Sequence, residues 1–291
     1  MISFFGASVT QQKTGYVPEF KKLINTDVNQ HGYGSMHIND AGMCFIEDVI
    51  INKPKYCFID WFSASIHINL VEYLDTFLYK FTQINCKLIF LLLDRNPIEE
   101  KRIEMYNTIK NYCFNHNIKY IELYNNPNVS EILRDRVHTT DIGSVFYAKK
   151  IYDFYINELL NKEYIHTNIP EPTKYSNIKK IEVNQIINDK IIFKGPGKIM
   201  GIYQIIGRNS GIVKITSDKI TKYNLWDQWC HYSRQTIKIN MDVKDELIIE
   251  LTNESFDGST CKESLDWKKF EKNMDIKTVF YIGDISIEYI K

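Results

Sequence analysis

The stretch Ile2-Ser3-Phe4-Phe5-Gly6-Ala7-Ser8-Val9-Thr10 reads as a short apolar strand that runs into a small-residue turn with one serine at its apex. Aromatic and β-branched side chains in such a run suit a buried strand of a parallel sheet. Gly6 and Ala7 keep bulk away from Ser8, which falls at the carboxyl end of the strand, where open α/β sheets place their ligands. A serine hydroxyl is a poor nucleophile until a base removes its proton as it attacks. The candidate base lies far along the chain, in Arg134-Asp135-Arg136-Val137-His138-Thr139-Thr140. Asp135 and His138 are three positions apart in a loop, so the carboxylate can hold one imidazole nitrogen and leave the other for a serine hydroxyl. Singly, Ser8 is a turn residue, Asp135 a cap and His138 a loop side chain. Together, at the first strand and just before the last helix of a βα series, they point to acyl chemistry at a serine.

Stepwise periodicity supplies the scaffold for that constellation. Residues 16–24 predict a helix with Val17, Phe20 and Ile24 on one face, followed by a short strand near Asp27 to Asn29. Asn39 or Asp40 can cap a helix that turns Phe45, Val49 and Ile50 inward. Residues 55–60, 87–93 and 118–123 read as buried strands, and the second is apolar enough for the sheet centre. Residues 66–84 place Leu70, Leu74, Phe77, Leu78 and Phe81 at helical spacing. Pro97 is placed to open the next helix, and residues 143–160 form the closing one. Strands alternating with helices imply a parallel sheet covered on both faces.

The pattern then changes. His166 to Thr173 carries two prolines and no apolar period, as a linker does. Beyond it, residues 181–183, 190–194, 198–205, 212–216, 235–240, 246–252 and 279–289 alternate or run apolar over strand lengths, and 257–275 is a long polar interruption. The expected organisation is a catalytic domain over 1–162, a linker over 163–180 and a β-sandwich, jelly-roll-like, over 181–291.

Gly6-Ala7-Ser8-Val9-Thr10 resembles the first block of the SGNH/GDSL hydrolases, with Ala7 where Asp is usual. Asp135-x-x-His138 resembles that family's last block, and Gly32-Tyr33-Gly34-Ser35 is similar to its glycine-bearing second block. The third block, normally Gly-x-Asn-Asp, is missing: after the third strand the chain reads Trp61-Phe62-Ser63-Ala64-Ser65, with Ala64 where the asparagine should fall. The resemblance covers roughly residues 1–160. It implies a flavodoxin-like three-layer α/β/α domain and a Ser8–His138–Asp135 triad. It also implies an oxyanion hole formed by the amides of Ser8 and Gly34, with Gly32 the rival for the second. Ser63, Ser65 or Asn96 could replace the absent side-chain donor.

With 291 residues, the chain suits two domains of ordinary size. Lys+Arg and Asp+Glu are both 36, which gives no footprint for nucleic acid or anionic membrane. The longest apolar run, Leu88 to Leu93, is too short to span a bilayer. No export signal is expected, since a first strand that begins beside the initiator methionine leaves hardly room for one. The six cysteines lack Cys-x-x-Cys spacing and read as small hydrophobes in a reducing cytoplasm. No metal or cofactor motif occurs. Asp94 and Arg95, after the fourth strand, are candidates to grip a substrate. Trp226, Trp229 and Arg234 form an aromatic patch able to stack on sugar rings, or equally to fill a sandwich core. The function expected is a serine esterase removing O-acyl groups, O-acetyl above all, from a glycan or its precursor. The rivals are an O-acetyltransferase using the same triad and a non-catalytic glycan-binding protein.

Overall fold

The first five strands of the computed structural model are β1 Ile2–Gly6, β2 Val28–Gly32, β3 Tyr56–Asp60, β4 Lys87–Leu93 and β5 Lys119–Leu123. They pair in parallel in the order β2-β1-β3-β4-β5. The structure describes residues 1–67, 69–185, 189–206, 211–224, 234–255 and 276–290. The chain divides into two compact units, Met1–Ser176 and Asn177–Lys291.

Alternation along β1 explains why both faces of the sheet must be covered. Phe4 stacks on Phe58 of β3 with ring centroids 4.9 Å apart, and Phe20 meets Phe4 edge-on at 5.1 Å. Phe5, one residue on, points to the other side, against Trp61 at 5.1 Å and Phe77 at 5.8 Å. Successive side chains on a strand face opposite ways, so two adjacent aromatics need two helical layers. On the Phe4 side these are helices α2 (Tyr16–Leu23) and α7 (Asp141–Phe154), which bring Tyr16, Phe20, Tyr147 and Ile151 into one buried cluster with Phe4 and Phe58. On the Phe5 side lies α4 (Leu70–Thr82), whose Leu70, Leu74, Phe77, Leu78 and Phe81 are all buried.

Strand β1 has β2 on one side and β3 on the other, so the chain changes direction across the sheet at β1. The carboxyl edge at such a reversal is the usual ligand site of open α/β sheets. Ser8 stands there, in the first position of a one-turn helix, α1 (Ser8–Gln11).

Several sequence expectations are corrected here. Strand β4 is internal, but the middle position belongs to β3. The helix expected to open at Pro97 is α5 (Glu100–His116), with Glu99 as its N-cap, so the proline lies in the preceding loop. The expected helix after Asn39 is broken into a π-helical turn, Ile38–Gly42, and α3 (Ile46–Ile50). The Asp40 carboxylate accepts the backbone N–H groups of His37 and Ala41, and the His37 contact caps the start of the first piece. The segment read as a linker is partly docked on the first unit. His166 Nε2 accepts the Leu88 N–H at 3.0 Å, and the Tyr164 hydroxyl donates to the Leu88 carbonyl at 3.2 Å.

Among the described residues, the second unit contains two antiparallel sheets. One has β10 (Ile220–Asn224), β9 (Gly211–Thr216), β13 (Glu246–Ser255), β7 (Lys190–Lys194) and β15 (Ser286–Ile290) in that order. The other has β11 (Arg234–Lys238), β8 (Gly197–Ile206), β14 (Ile276–Gly283) and β6 (Lys179–Gln185), with β12 (Met241–Val243) also paired to β8. Val183, Phe193, Ile202, Val213, Ile249 and Val279 meet in their shared core, which makes the unit a β-sandwich. The run expected as one strand over 279–289 is two, separated at Gly283, whose φ of 94° suits glycine.

Candidate active site

Local sterics fix the first turn after β1. A Cβ on Gly6 would stand 2.3 Å from the Asp60 carbonyl oxygen, so β1 and β3 can approach there only with glycine. The Ala7 N–H donates to that same carbonyl at 2.9 Å, and α1 begins at the next residue. The amides of the first helical turn, that of Ser8 included, have no partner within the helix. Gly32, at the end of β2, would place a Cβ 2.4 Å from the Gln11 backbone, and Gly34 would meet only the Gln11 side-chain oxygen at 2.3 Å. The glycine block is thus shaped by α1 packing over the end of β2.

The second half of the site is a loop between α6 (Val129–Ile132) and α7. Leu133 and Thr139 form an antiparallel bridge, and the Arg134 N–H donates to the His138 carbonyl at 2.9 Å. Thr140 caps α7 by accepting the Gly143 N–H at 3.0 Å. Inside this tight turn Asp135 Oδ1 accepts the N–H groups of Val137 and His138, both at 2.9 Å. Asp135 Oδ2 lies 2.8 Å from His138 Nδ1, and His138 Nε2 lies 2.9 Å from Ser8 Oγ. The sequence-distant serine and histidine therefore meet, with the carboxylate behind the ring. Partial burial pushes Asp135 upward, but the two N–H donors and the His138 ring outweigh it and hold the carboxyl below its ordinary range.

Beneath Ser8 is a buried polar network that the sequence reading missed. Asp60 is fully closed to solvent; Ser63 Oγ donates to it at 2.7 Å, and Thr10 Oγ1 at 3.2 Å. Thr10 in turn is 2.8 Å from the Tyr16 hydroxyl. Burial raises the Asp60 carboxyl to about 7, with the hydrogen bonds from Ser63 and Thr10 and the Arg102 charge opposing it. A carboxylate at the end of an otherwise apolar strand was the available signal.

The loop at the Ala64 position has no side-chain amide, and two of its candidate replacements, Ser63 and Ser65, hold other side-chain contacts. Ser63 is committed to Asp60. Ser65 Oγ lies 2.8 Å from His37 Nδ1, a contact between the loops that follow β2 and β3. The Asn96 backbone N–H donates to the Arg136 carbonyl at 3.0 Å. The loop itself is held from behind by two guanidiniums: Arg95 Nη1 donates to the Ser63 carbonyl at 2.9 Å, and the buried Arg102 donates to the carbonyls of Phe62 and Ser65.

Those contacts correct the substrate-gripping expectation for Asp94 and Arg95. Asp94 is only 2 % exposed, and its carboxylate accepts the Asn126 N–H at 3.3 Å and the Tyr147 hydroxyl at 3.5 Å. Burial, opposed by these bonds, raises it to about 6. Arg95 also pairs with Glu99 at 3.3 Å, so both groups brace the scaffold. Trp226 and Trp229 lie outside the described residues, as does the 257–275 interruption; Arg234 begins β11, and its side chain is likewise outside them. Among the described residues no group of three potential metal ligands converges, and no helix is long and apolar enough to cross a membrane.

No family model matches the sequence, and no curated protein does. Solved structures do match. A two-domain esterase active on acetylated mannans aligns at 12 % identity with a TM-score of 0.66, covering 98 % of this chain and 92 % of that one. Its complex with mannopentaose aligns at 12 % identity and a TM-score of 0.69, covering 97 % of this chain and 90 % of that one. The fold is that of this two-domain esterase. An acetyl xylan esterase also aligns, at 22 % identity and a TM-score of 0.45, over 52 % of this chain and 98 % of its own. The α/β unit followed by a β-rich unit is therefore a known arrangement.

Proposed function

We propose that the protein is a serine esterase of the SGNH/GDSL type that removes O-acyl groups, O-acetyl first among them, from a glycan. The observation that carries the proposal is the unbroken chain of short contacts from Ser8 Oγ through the His138 ring to Asp135. As Ser8 Oγ bonds to the ester carbonyl carbon, His138 Nε2 takes the hydroxyl proton, and Asp135 steadies the resulting imidazolium. The amides of Ser8 and Gly34 receive the charge on the tetrahedral oxygen. Collapse breaks the bond to the sugar oxygen, which leaves as a hydroxyl with the proton from His138. Water then attacks the acyl-enzyme, gives its proton to His138, and releases acetate and free Ser8.

The substrate class rests on the likeness to the esterase active on acetylated mannans. A sugar hydroxyl could take the place of water in the second half-reaction, which would make the protein an acetyltransferase. The cytoplasmic assignment rests on the cysteines: Cys44, Cys57, Cys86 and Cys113 are free and buried.

The test has two arms. A fluorophosphonate probe is expected to label wild-type protein at Ser8 and to leave Ser8→Ala unlabelled. Acetylated mannan is expected to release acetate with wild type alone, while mannopentaose added as acceptor is assayed for newly esterified sugar. Labelling absent at Ser8 in folded protein would return the chain to the class of glycan-binding proteins without catalysis.

A further inference from the structure

A second link joins the two halves of the triad, parallel to the Ser8–His138 contact. Gln12 lies just past the last residue of α1, the helix that Ser8 begins. Its Oε1 accepts the Thr139 backbone N–H at 3.1 Å and the Thr139 hydroxyl at 3.2 Å, and its Nε2 donates to the Thr139 carbonyl at 3.3 Å. The side-chain amide thus pairs with both polar groups of one backbone residue, the residue that follows His138.

Peptide planarity turns this pairing into control of His138. The Thr139 N–H and the His138 carbonyl belong to one rigid peptide group. Gln12 holds its N–H end, and the Arg134 N–H holds its carbonyl end at 2.9 Å. The Cα of His138 is the atom on which that plane pivots, so rotation of the plane would swing the imidazole away from Ser8. The anchor continues on both sides. Thr139, only 3 % exposed, has its Oγ1 2.7 Å from Ser144 Oγ on α7. Gln30 Nε2 on β2 donates to the carbonyls of Thr10 at 2.6 Å and Gln12 at 3.3 Å, fixing the end of α1.

We propose that Gln12 is a positioning residue for the reaction: it sets the distance between Ser8 and His138 by tying the helix of one to the loop of the other. The inference rests on the triad reading above. The pairing requires an amide, because one atom must accept from N–H and O–H while its neighbour donates to a carbonyl. Loss of the clamp should therefore disturb turnover more than binding, since misplacement by about an ångström can cost ~10²-fold in rate.

The experiment measures kcat, KM, pH profile and Tm with 4-nitrophenyl acetate for wild type, Gln12→Ala, Gln12→Glu and Ser8→Ala. For Gln12→Ala, kcat is expected to fall about 10- to 100-fold with KM within about twofold and the fold retained. Gln12→Glu keeps the acceptor and loses the donor, so it should be intermediate in kcat. Its carboxylate also favours the imidazolium, moving the acid limb of kcat/KM to higher pH. A kcat for folded Gln12→Ala within about threefold of wild type overturns the inference, as does a lowered Tm with kcat intact. If Gln12→Ala does not fold, Gln12→Glu decides: wild-type kcat with an unmoved acid limb overturns it. Ser8→Ala with wild-type turnover would instead remove the triad itself, a separate result.

Discussion

Oδ2 of Asp135 lies 2.8 Å from Nδ1 of His138, while Oδ1 of the same carboxylate accepts the His138 backbone N–H at 2.9 Å. The aspartate therefore reads the backbone and the ring of one residue together. That double hold limits the rotation that would otherwise take the imidazole off Ser8. It also selects the ring form with the proton on Nδ1, which leaves Nε2 as the acceptor for the serine hydroxyl. Because the N–H donors and the ring keep Asp135 below its ordinary range, it stays a carboxylate at neutral pH.

Replacing Asp135 by asparagine tests this assignment. An asparagine oxygen can still accept from the Val137 and His138 amides, so the turn should persist and Tm should change little. With its amide NH₂ toward the ring it would impose the wrong tautomer. The expected loss in kcat is ~10²–10⁴-fold, as for the aspartate of other serine triads. A loss under about fivefold at neutral pH would take Asp135 out of the mechanism.

The two glycine positions beside the nucleophile should respond oppositely to the same added methyl. In Gly6→Ala the new Cβ meets the Asp60 carbonyl at 2.3 Å, backbone that cannot move without separating β1 from β3. Destabilisation of more than about 2 kcal/mol, read from urea unfolding, is expected. In Gly34→Ala the Cβ meets only the far end of the Gln11 side chain, which can rotate away. That variant should unfold within about 1 kcal/mol of wild type, so any loss of turnover would report on the Gly34 amide. Equal destabilisation in the two would contradict the packing described.

The parallel sheet and most of its helices were legible because hydrophobic period reports burial directly. The five residues expected on the buried face of α4 are all buried, with Thr76 a sixth. Ser8, Asp135 and His138 were legible through their positions at strand and helix ends, although nothing local states that residues 130 positions apart will touch. What failed was the reading of polar residues next to the site. Asp94 and Arg95 had the right place in sequence for substrate contact, but their side chains turn inward to Tyr147, Asn126 and the Ser63 carbonyl. Gln12 gave no signal at all: its partner is a backbone group, and backbone groups are the same at every position. The missing third-block asparagine was visible, whereas the guanidiniums that brace its loop from α5 and the β4 loop were not.

Arg102 carries one of those braces. Its guanidinium is 2 % exposed and donates to the carbonyls of Phe62 and Ser65, so Arg102→Met would bury two acceptors without a donor. The expected cost is on the order of 2–4 kcal/mol in urea unfolding with an unchanged m-value. Turnover should fall as well, because the loop it holds joins the rim through Ser65 and His37. A variant as stable as wild type would mean that the loop keeps its shape without the arginine.

Asp60 makes the dependence of stability on pH unusual for a carboxyl group. Burial raises it from the ordinary carboxylate range to about 7, so the folded protein keeps this proton between about pH 4 and pH 7 while the unfolded chain releases it. The folded state binds more protons in that window, and stability must therefore fall as pH rises through it, reaching a floor above 7. Asparagine mimics the protonated acid: its oxygen can accept from Ser63, and its NH₂ can donate to Thr10, which passes the bond on to Tyr16. Asp60→Asn is expected to match wild type near pH 4.5 and to exceed it near pH 8 by roughly 3–4 kcal/mol, since the rise from 3.8 to about 7 is about three pKa units at ~1.4 kcal/mol each. Urea unfolding at a series of pH values measures both curves. Two parallel curves would show that Asp60 is ionised in the folded protein across the whole range, and the buried network under Ser8 would then have to be redrawn around a charge.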